Sequence, residues 1–134
     1  MRKINKLIIH CSATPEGRAV SVSDITRWHR ERGFRTIGYH YVIYLDGSVH
    51  AGRPVLEEGA HCLGQNRNSI GICYIGGLDA KSLLPKDTRT EAQKDALRHL
   101  VGNLREEYPG ATLHGHNEFA AKACPCFDVR ELLK

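Results

Sequence analysis

The residues best suited to chemistry are concentrated near the C-terminus, between positions 114 and 126. Within this short segment lie two imidazoles, a carboxylate, an ammonium group and two thiols, with glycine and proline between them. Such a mixture does not form a core element, because each buried polar group needs a partner. The segment therefore indicates a functional site. Its reactive members are His114, His116, Glu118, Lys122, Cys124 and Cys126.

Histidine and cysteine are the ligands that zinc prefers in proteins. Only one residue separates Cys124 from Cys126, so the segment is not an autonomous zinc finger, and a further ligand must come from elsewhere in the chain. The best candidate is His10, which follows the apolar run of residues 7–9 and should lie at the tip of a buried strand. Either His114 or His116 fits the pattern, because residues two apart on a strand share a face. Three protein ligands leave one tetrahedral position for water, so the pattern predicts a catalytic zinc and a hydrolase.

The elements that must position these residues follow from apolar periodicity and turn signals. Helices are predicted from Ser21 or Ser23 to about residue 32 and, with Thr90 and Gln93 as a capping box, over residues 90–108. Asp46-Gly47 predicts a hairpin turn, and residues 57–68 read as a polar loop. Strands are predicted over 4–9, 38–44, 48–53, 69–77 and 111–114, and a last helical turn over 128–133. The alternation predicts a single α/β domain over residues 1–134, with a central mixed β-sheet flanked by helices.

Composition narrows the class of protein. The chain of 134 residues carries a net charge of +4, with lysine and arginine scattered, so no nucleic-acid interface is indicated. No apolar run is long enough for a membrane span or for the core of a signal peptide, and we expect a protein that is cytoplasmic as synthesised and acts on the cell wall after release or export. Five cysteines form no disulfide framework, which favours a reducing compartment. A domain of this size is expected to be a monomer.

Six motifs in order resemble one known family, and together they cover nearly the whole chain. They resemble the zinc-dependent N-acetylmuramoyl-L-alanine amidases, a family that includes peptidoglycan recognition proteins. The resemblance implies their α/β fold and a single amidase catalytic domain. The matching stretches are residues 8–14, 38–41, 46–47, 59–61, 68–72 and 116–125.

The resemblance also implies a role for individual residues. His10, His116 and Cys124 become the ligands of one Zn²⁺ per chain, which selects His116 over His114. Tyr39 and Lys122 become catalytic side chains beside the scissile carbonyl. The remaining implied residues line the peptide-binding groove: His61, Asn66 and Asn68.

The implied reaction is hydrolysis of peptidoglycan or its muropeptide fragments, as in a bacteriolytic endolysin. Water activated by zinc would attack the amide between the lactyl group of N-acetylmuramic acid and L-alanine. Tyr39 and Lys122 would stabilise the resulting oxyanion.

The residues of this segment also suit two other classes of protein. A non-catalytic recognition module of the same fold is the first, but such modules typically lack the cysteine ligand that Cys124 supplies here. A cysteine peptidase that uses Cys124 or Cys126 as nucleophile is the second, and it would be insensitive to chelation. Relatives often have a serine at the position of Cys126, which we interpret as a packed position, and a proline at that of Ala121.

Overall fold

A five-stranded mixed β-sheet forms the centre of the chain in a computed structural model, which describes residues 2–134. Its strand order is β4-β3-β5-β1-β7, and a two-stranded sheet of β2 and β6 lies beside it. Only β4 is antiparallel to its neighbour, so the predicted mixed α/β architecture is confirmed. The strands are β1 (Lys6–Cys11), β2 (Thr14–Pro15), β3 (Tyr41–Ile43), β4 (Val49–Ala51), β5 (Ser69–Tyr74), β6 (Gly77–Leu78) and β7 (Thr112–Gly115).

Strand β1 lies between two parallel partners, β5 and β7. The sequence predicted that the strand ends at Ile9, with His10 at its tip. In the structure β1 continues through Cys11, because β5 supplies pairing partners as far as Tyr74. His10 is thus part of the ladder, opposite Cys73.

Successive side chains of β1 point alternately to the hydrophobic core and to the opposite face, where the candidate ligand His10 lies. Leu7 and Ile9 are fully buried on the face that packs against helix α2 (Glu91–Glu107). His10 follows Ile9 directly and points to the opposite face, since successive strand residues alternate. On the α2 side, burial of Leu97, together with Val101 and Leu104, is worth roughly 1.5–3 kcal/mol for each side chain.

Helix α1 (Val22–Glu31) packs against the opposite face of the sheet. Its residue Ile25 packs in a second apolar cluster with Val42 and Ile75. Both helices begin with the side-chain caps that the sequence predicted. The Ser21 hydroxyl accepts from the N–H of Asp24, and Thr90 pairs reciprocally with Gln93. The end of the chain forms a 3₁₀ helix, Val129–Leu133, where the sequence predicted a helical turn.

The hairpin of β3 and β4 turns at Asp46-Gly47 as predicted, although both strands are shorter than the sequence indicated. Tyr39 and His40 precede β3, and the backbone N–H of His40 still donates to the carbonyl of Gly71 at 2.9 Å. The predicted loop before β5 ends in a 3₁₀ helix, Asn66–Asn68. Neither described helix combines the length and apolar character that crossing a bilayer requires.

Candidate metal centre and active site

Three side chains from distant parts of the chain meet at one end of the sheet. They are His10 on β1, His116 in the 3₁₀ helix that follows β7, and Cys124 in the turn beyond it. One ligand atom of each lies within 4.8 Å of those of the other two. This is the set of residues that the resemblance implied, and the parallel pairing of β1 with β7 brings it together.

The two imidazoles face each other through their Nδ1 atoms, which are 3.1 Å apart. Two neutral imidazoles at this distance either share one proton or face a common cation. Nitrogen ligands bound at about 2.0–2.1 Å to one tetrahedral zinc lie roughly 3.3 Å apart, so the spacing fits such an ion. The donor set of two imidazoles and a thiol is also one that zinc selects.

Burial keeps both imidazoles neutral, as metal ligands must be. The ring of His10 is 1% exposed, and this burial holds its pKa well below the ordinary value, with nearby histidines adding to the effect. Burial also lowers the pKa of His116, followed by the charge of the Lys122 ammonium. An unprotonated nitrogen is therefore available on each ring at neutral pH.

Cys124 is held against β1 by backbone contacts. Its Sγ accepts a hydrogen bond from the N–H of Cys11 at 3.2 Å, and its carbonyl accepts from the N–H of Asn117 at 2.9 Å. The hydroxyl of Tyr74 donates to the carbonyl of Pro125 at 2.6 Å and anchors the turn. Gly115 allows this close packing, because a Cβ at that position would lie 2.6 Å from Oδ1 of Asn117 and 3.0 Å from the ring of Pro125.

Tyr39 and Lys122 line a groove beside His116 that has a volume of about 510 Å³. The Tyr39 ring centroid is 5.1 Å from that of His10. Burial raises the pKa of Tyr39 well above its usual value, so its hydroxyl remains a proton donor. Lys122 is exposed at the mouth of the groove, where its ammonium is free to reach a bound ligand.

Two of the three residues assigned to substrate binding, His61 and Asn66, line the groove. His61 is nevertheless only 8% exposed, and its Nδ1 lies 2.8 Å from Nε2 of His10. The Oδ1 of Asn66 accepts from the backbone N–H groups of His61 and Cys62. The amide of Asn68 donates to the carbonyl of Lys3 at 2.8 Å and is not among the groove residues.

Sequence reasoning missed other groove residues, notably His29, Arg32 and Phe34. His29 lies in α1 and is buried, and its Nδ1 accepts from the N–H of Gly38 at 2.9 Å. Arg32 lies 5.0 Å from the centroid of Phe34 and adds a second cation to the groove beside Lys122. Its position at the end of α1, four residues after Trp28, was the only signal in the sequence.

The second thiol of the segment is a packed side chain. Cys126 is half-buried against the main core, and its Sγ donates to the carbonyl of Gly77 at 3.5 Å. Burial raises the pKa of this thiol to about 11, which leaves little thiolate at neutral pH. Cys126 therefore lacks the properties of a nucleophile.

The fold and the residues at the end of its sheet define a class of peptidoglycan-directed proteins. The chain belongs to the N-acetylmuramoyl-L-alanine amidase family, whose model matches residues 1–127. The endolysin of Escherichia phage T7 is 44% identical over 124 residues, which cover 92% of this chain and 82% of that one. The endolysin of Klebsiella phage KP32 is 43% identical over 129 residues, covering 96% and 85% of the two chains. Membership of this family supports a peptidoglycan amidase activity.

Solved structures share the same fold. The N-acetylmuramoyl-L-alanine amidase LysC from Clostridium intestinale superposes with a TM-score of 0.83 at 26% identity, covering 98% of this chain and 83% of that one. A mutant of Drosophila PGRP-LB in complex with tracheal cytotoxin gives 0.76 at 28% identity, covering 93% and 76%. The fold is thus shared by enzymes and by recognition proteins, and the site must decide between them.

Proposed function

We propose that the protein is a zinc-dependent N-acetylmuramoyl-L-alanine amidase. Its substrate would be peptidoglycan or a muropeptide fragment, and it would cleave the amide between the lactyl group of N-acetylmuramic acid and L-alanine. The observation that carries the proposal is the convergence of His10, His116 and Cys124 at one point. Tyr39 and Lys122 line the adjoining groove together with His116. A recognition module needs the groove, whereas only an enzyme needs the ligand set as well.

His10, His116 and Cys124 would hold one zinc ion per chain. Zinc, when bound, supplies a nucleophile at neutral pH and a Lewis acid for the carbonyl. The imidazoles and the thiol held by the Cys11 N–H are placed so that all three can face one ion.

The protein's own part in the reaction is to stabilise charge on the carbonyl oxygen. Attack on the lactyl carbonyl carbon turns its oxygen into an oxyanion. The Tyr39 hydroxyl would donate a hydrogen bond to this oxyanion, and the Lys122 ammonium would donate a charge-assisted one. The hydroxyl of water goes to the lactyl carbon, the C–N bond breaks, and the amine of L-alanine leaves with the remaining proton. No side chain forms a covalent intermediate.

The groove is suited to an anionic peptide. Arg32 and Lys122 provide cations on one side, and Tyr39 and Phe34 provide aromatic surface. Stem peptides carry free carboxylates, which such cations attract. The PGRP-LB structure with tracheal cytotoxin is consistent with a muropeptide ligand for this fold.

The test is digestion of purified sacculi followed by mass spectrometry, with the zinc content measured on the same sample. We expect free stem peptides that begin with L-alanine, no release after chelation, and recovery on adding zinc. Zinc bound at one per chain without cleavage would point to recognition alone. Cleavage that persists in chelator would favour a cysteine nucleophile and overturn the metal mechanism.

A further inference from the structure

His61 lies on the far side of His10 from His116. Its Nδ1 is 2.8 Å from Nε2 of His10, and its Nε2 is 3.1 Å from Oγ of Ser69. The three side chains form a continuous row behind the candidate metal centre. All three are buried.

Proton positions along this row follow from the donor and acceptor capacity of each ring nitrogen. If Nδ1 of His10 keeps its lone pair toward Cys124 and His116, neutral His10 carries its proton on Nε2. That proton is donated to Nδ1 of His61, which must then be unprotonated. His61 in turn carries its proton on Nε2 and donates it to Ser69. Each nitrogen is used once, and no two N–H groups face each other.

The fold makes room for the His61 ring in this orientation. Ser69 and Gly71 share a face of β5 because they are two residues apart. A Cβ at Gly71 would come within 2.5 to 2.7 Å of three atoms of the His61 ring, and one at Gly59 would lie 2.7 Å from its Cδ2. The Oδ1 of Asn66 fixes this stretch of backbone by accepting hydrogen bonds from the N–H groups of His61 and Cys62.

We infer that His61 is a positioning residue for the metal ligand His10, which it orients and holds in the Nδ1-coordinating tautomer with the help of Ser69. This inference rests on the proposed metal site and adds to it the residues behind that ligand: His61, which hydrogen-bonds to His10, and Ser69, which hydrogen-bonds to His61. Metal-ligating histidines generally donate their other N–H to an acceptor, usually a carboxylate, carbonyl or water. Among residues 2–134 the acceptor for His10 is a neutral imidazole. His61 thus acts through His10 and does not need to contact the substrate.

Zinc affinity, measured by competition with a chromogenic chelator, tests the inference without reference to activity. Replacing His61 by leucine removes the acceptor, and we expect affinity to fall about 10- to 100-fold. His61→Asn keeps an acceptor oxygen near the position of Nδ1 and should recover much of that loss. His50→Asn is the control, since His50 bonds Ser48, stacks on Tyr44 and contacts no candidate ligand, and its zinc affinity should equal that of the unaltered chain.

Ser69→Ala provides a second test that leaves the His61 ring in place. Without the serine oxygen, the Nδ1–H tautomer of His61 is no longer disfavoured, and its N–H would face that of His10. We therefore expect weaker zinc binding in this variant, and histidine-selective nitrogen NMR of the zinc-loaded unaltered chain should find the His61 proton on Nε2.

Several outcomes would overturn the inference. Unchanged zinc affinity in both His61→Leu and Ser69→Ala would do so, as would a proton on Nδ1 of His61 or a loss in His61→Leu with no recovery in His61→Asn. Failure of the unaltered chain to bind zinc would instead overturn the metal site itself, so the two failures are distinguishable.

Discussion

The Sγ atom of Cys124 accepts a hydrogen bond at 3.2 Å from the backbone N–H of Cys11, the residue that follows His10. One candidate ligand is therefore tied to the strand that carries another. This bond holds the thiol at the position where its Sγ lies within 4.8 Å of a ligand nitrogen of each imidazole.

Substitution of this cysteine tests the ligand set. We expect Cys124→Ala to fold but to lose tightly bound zinc, because two imidazoles remain where three ligands were present. Elemental analysis after dialysis measures the loss. Cys126→Ala is the matched control, since its thiol bonds the carbonyl of Gly77 and should not be needed for the metal. Equal zinc content in the two variants would exclude Cys124 as a ligand.

The choice between the two neighbouring histidines is tested separately. Nδ1 of His114 is 2.8 Å from Glu118 and its Nε2 is 2.6 Å from Thr112, so both ring nitrogens are engaged away from the centre. We expect His114→Ala to keep zinc and His116→Ala to lose it in the same dialysis experiment. Retention in His116→Ala with loss in His114→Ala would reverse the assignment.

Lys122 is exposed, so its removal should affect the reaction and leave the fold unchanged. We expect Lys122→Ala to keep zinc and its unfolding temperature, while the rate of peptide release falls on the order of 100-fold, as when one oxyanion donor is lost. Lys81→Ala, at another exposed lysine, serves as the control and should release peptide at the normal rate. Full activity in Lys122→Ala would remove the proposed role.

Tyr39 is tested with the smallest possible change. Tyr39→Phe keeps the ring that packs 5.1 Å from His10 and removes only the hydroxyl donor. We expect a loss of rate on the order of 100-fold with little change in zinc content. Steady-state kinetics on a soluble muropeptide should show the loss mainly in kcat, because the hydrogen bond strengthens as charge develops on the oxygen. A change confined to KM would indicate binding only.

Buried histidines outside the metal centre make stability depend on pH. Burial lowers the pKa of His29 to about 4 and that of His40 to about 4, from an ordinary value of 6.5. Between these values the unfolded chain binds more protons than the folded one, so stability is lost as the pH falls from about 6.5 toward 4. The loss should reach up to about 3 kcal/mol for each histidine.

Urea unfolding of chelator-treated protein at several pH values measures this dependence without contributions from bound metal. His29→Asn keeps an acceptor for the Gly38 N–H but cannot titrate, so its stability should vary less steeply over the same range. An identical slope in both chains would show that His29 is not protonated on unfolding.

Short sequence motifs predicted the parts of the fold that depend on interactions between residues close in sequence. The capping pairs Ser21 with Asp24 and Thr90 with Gln93 begin the two helices, and Asp46-Gly47 turns the hairpin. Strand lengths were less well predicted, because they depend on what the partner strand offers. His10 was expected just beyond the end of its strand for this reason, and the ladder to β5 extends that strand through Cys11.

The sequence by itself determined which residues are chemically suited to the site: two imidazoles, a thiol, a phenol and an ammonium group occur in motifs that indicate an amidase. Only the tertiary structure decided how these groups are used. The pairing of β1 with both β5 and β7 brings His10 beside His116 on one side and His61 on the other, across sequence separations that no local pattern encodes. The tertiary structure also buried His61 beside His10. The direction of each His61 ring nitrogen depends on its neighbours in space, here His10 and Ser69.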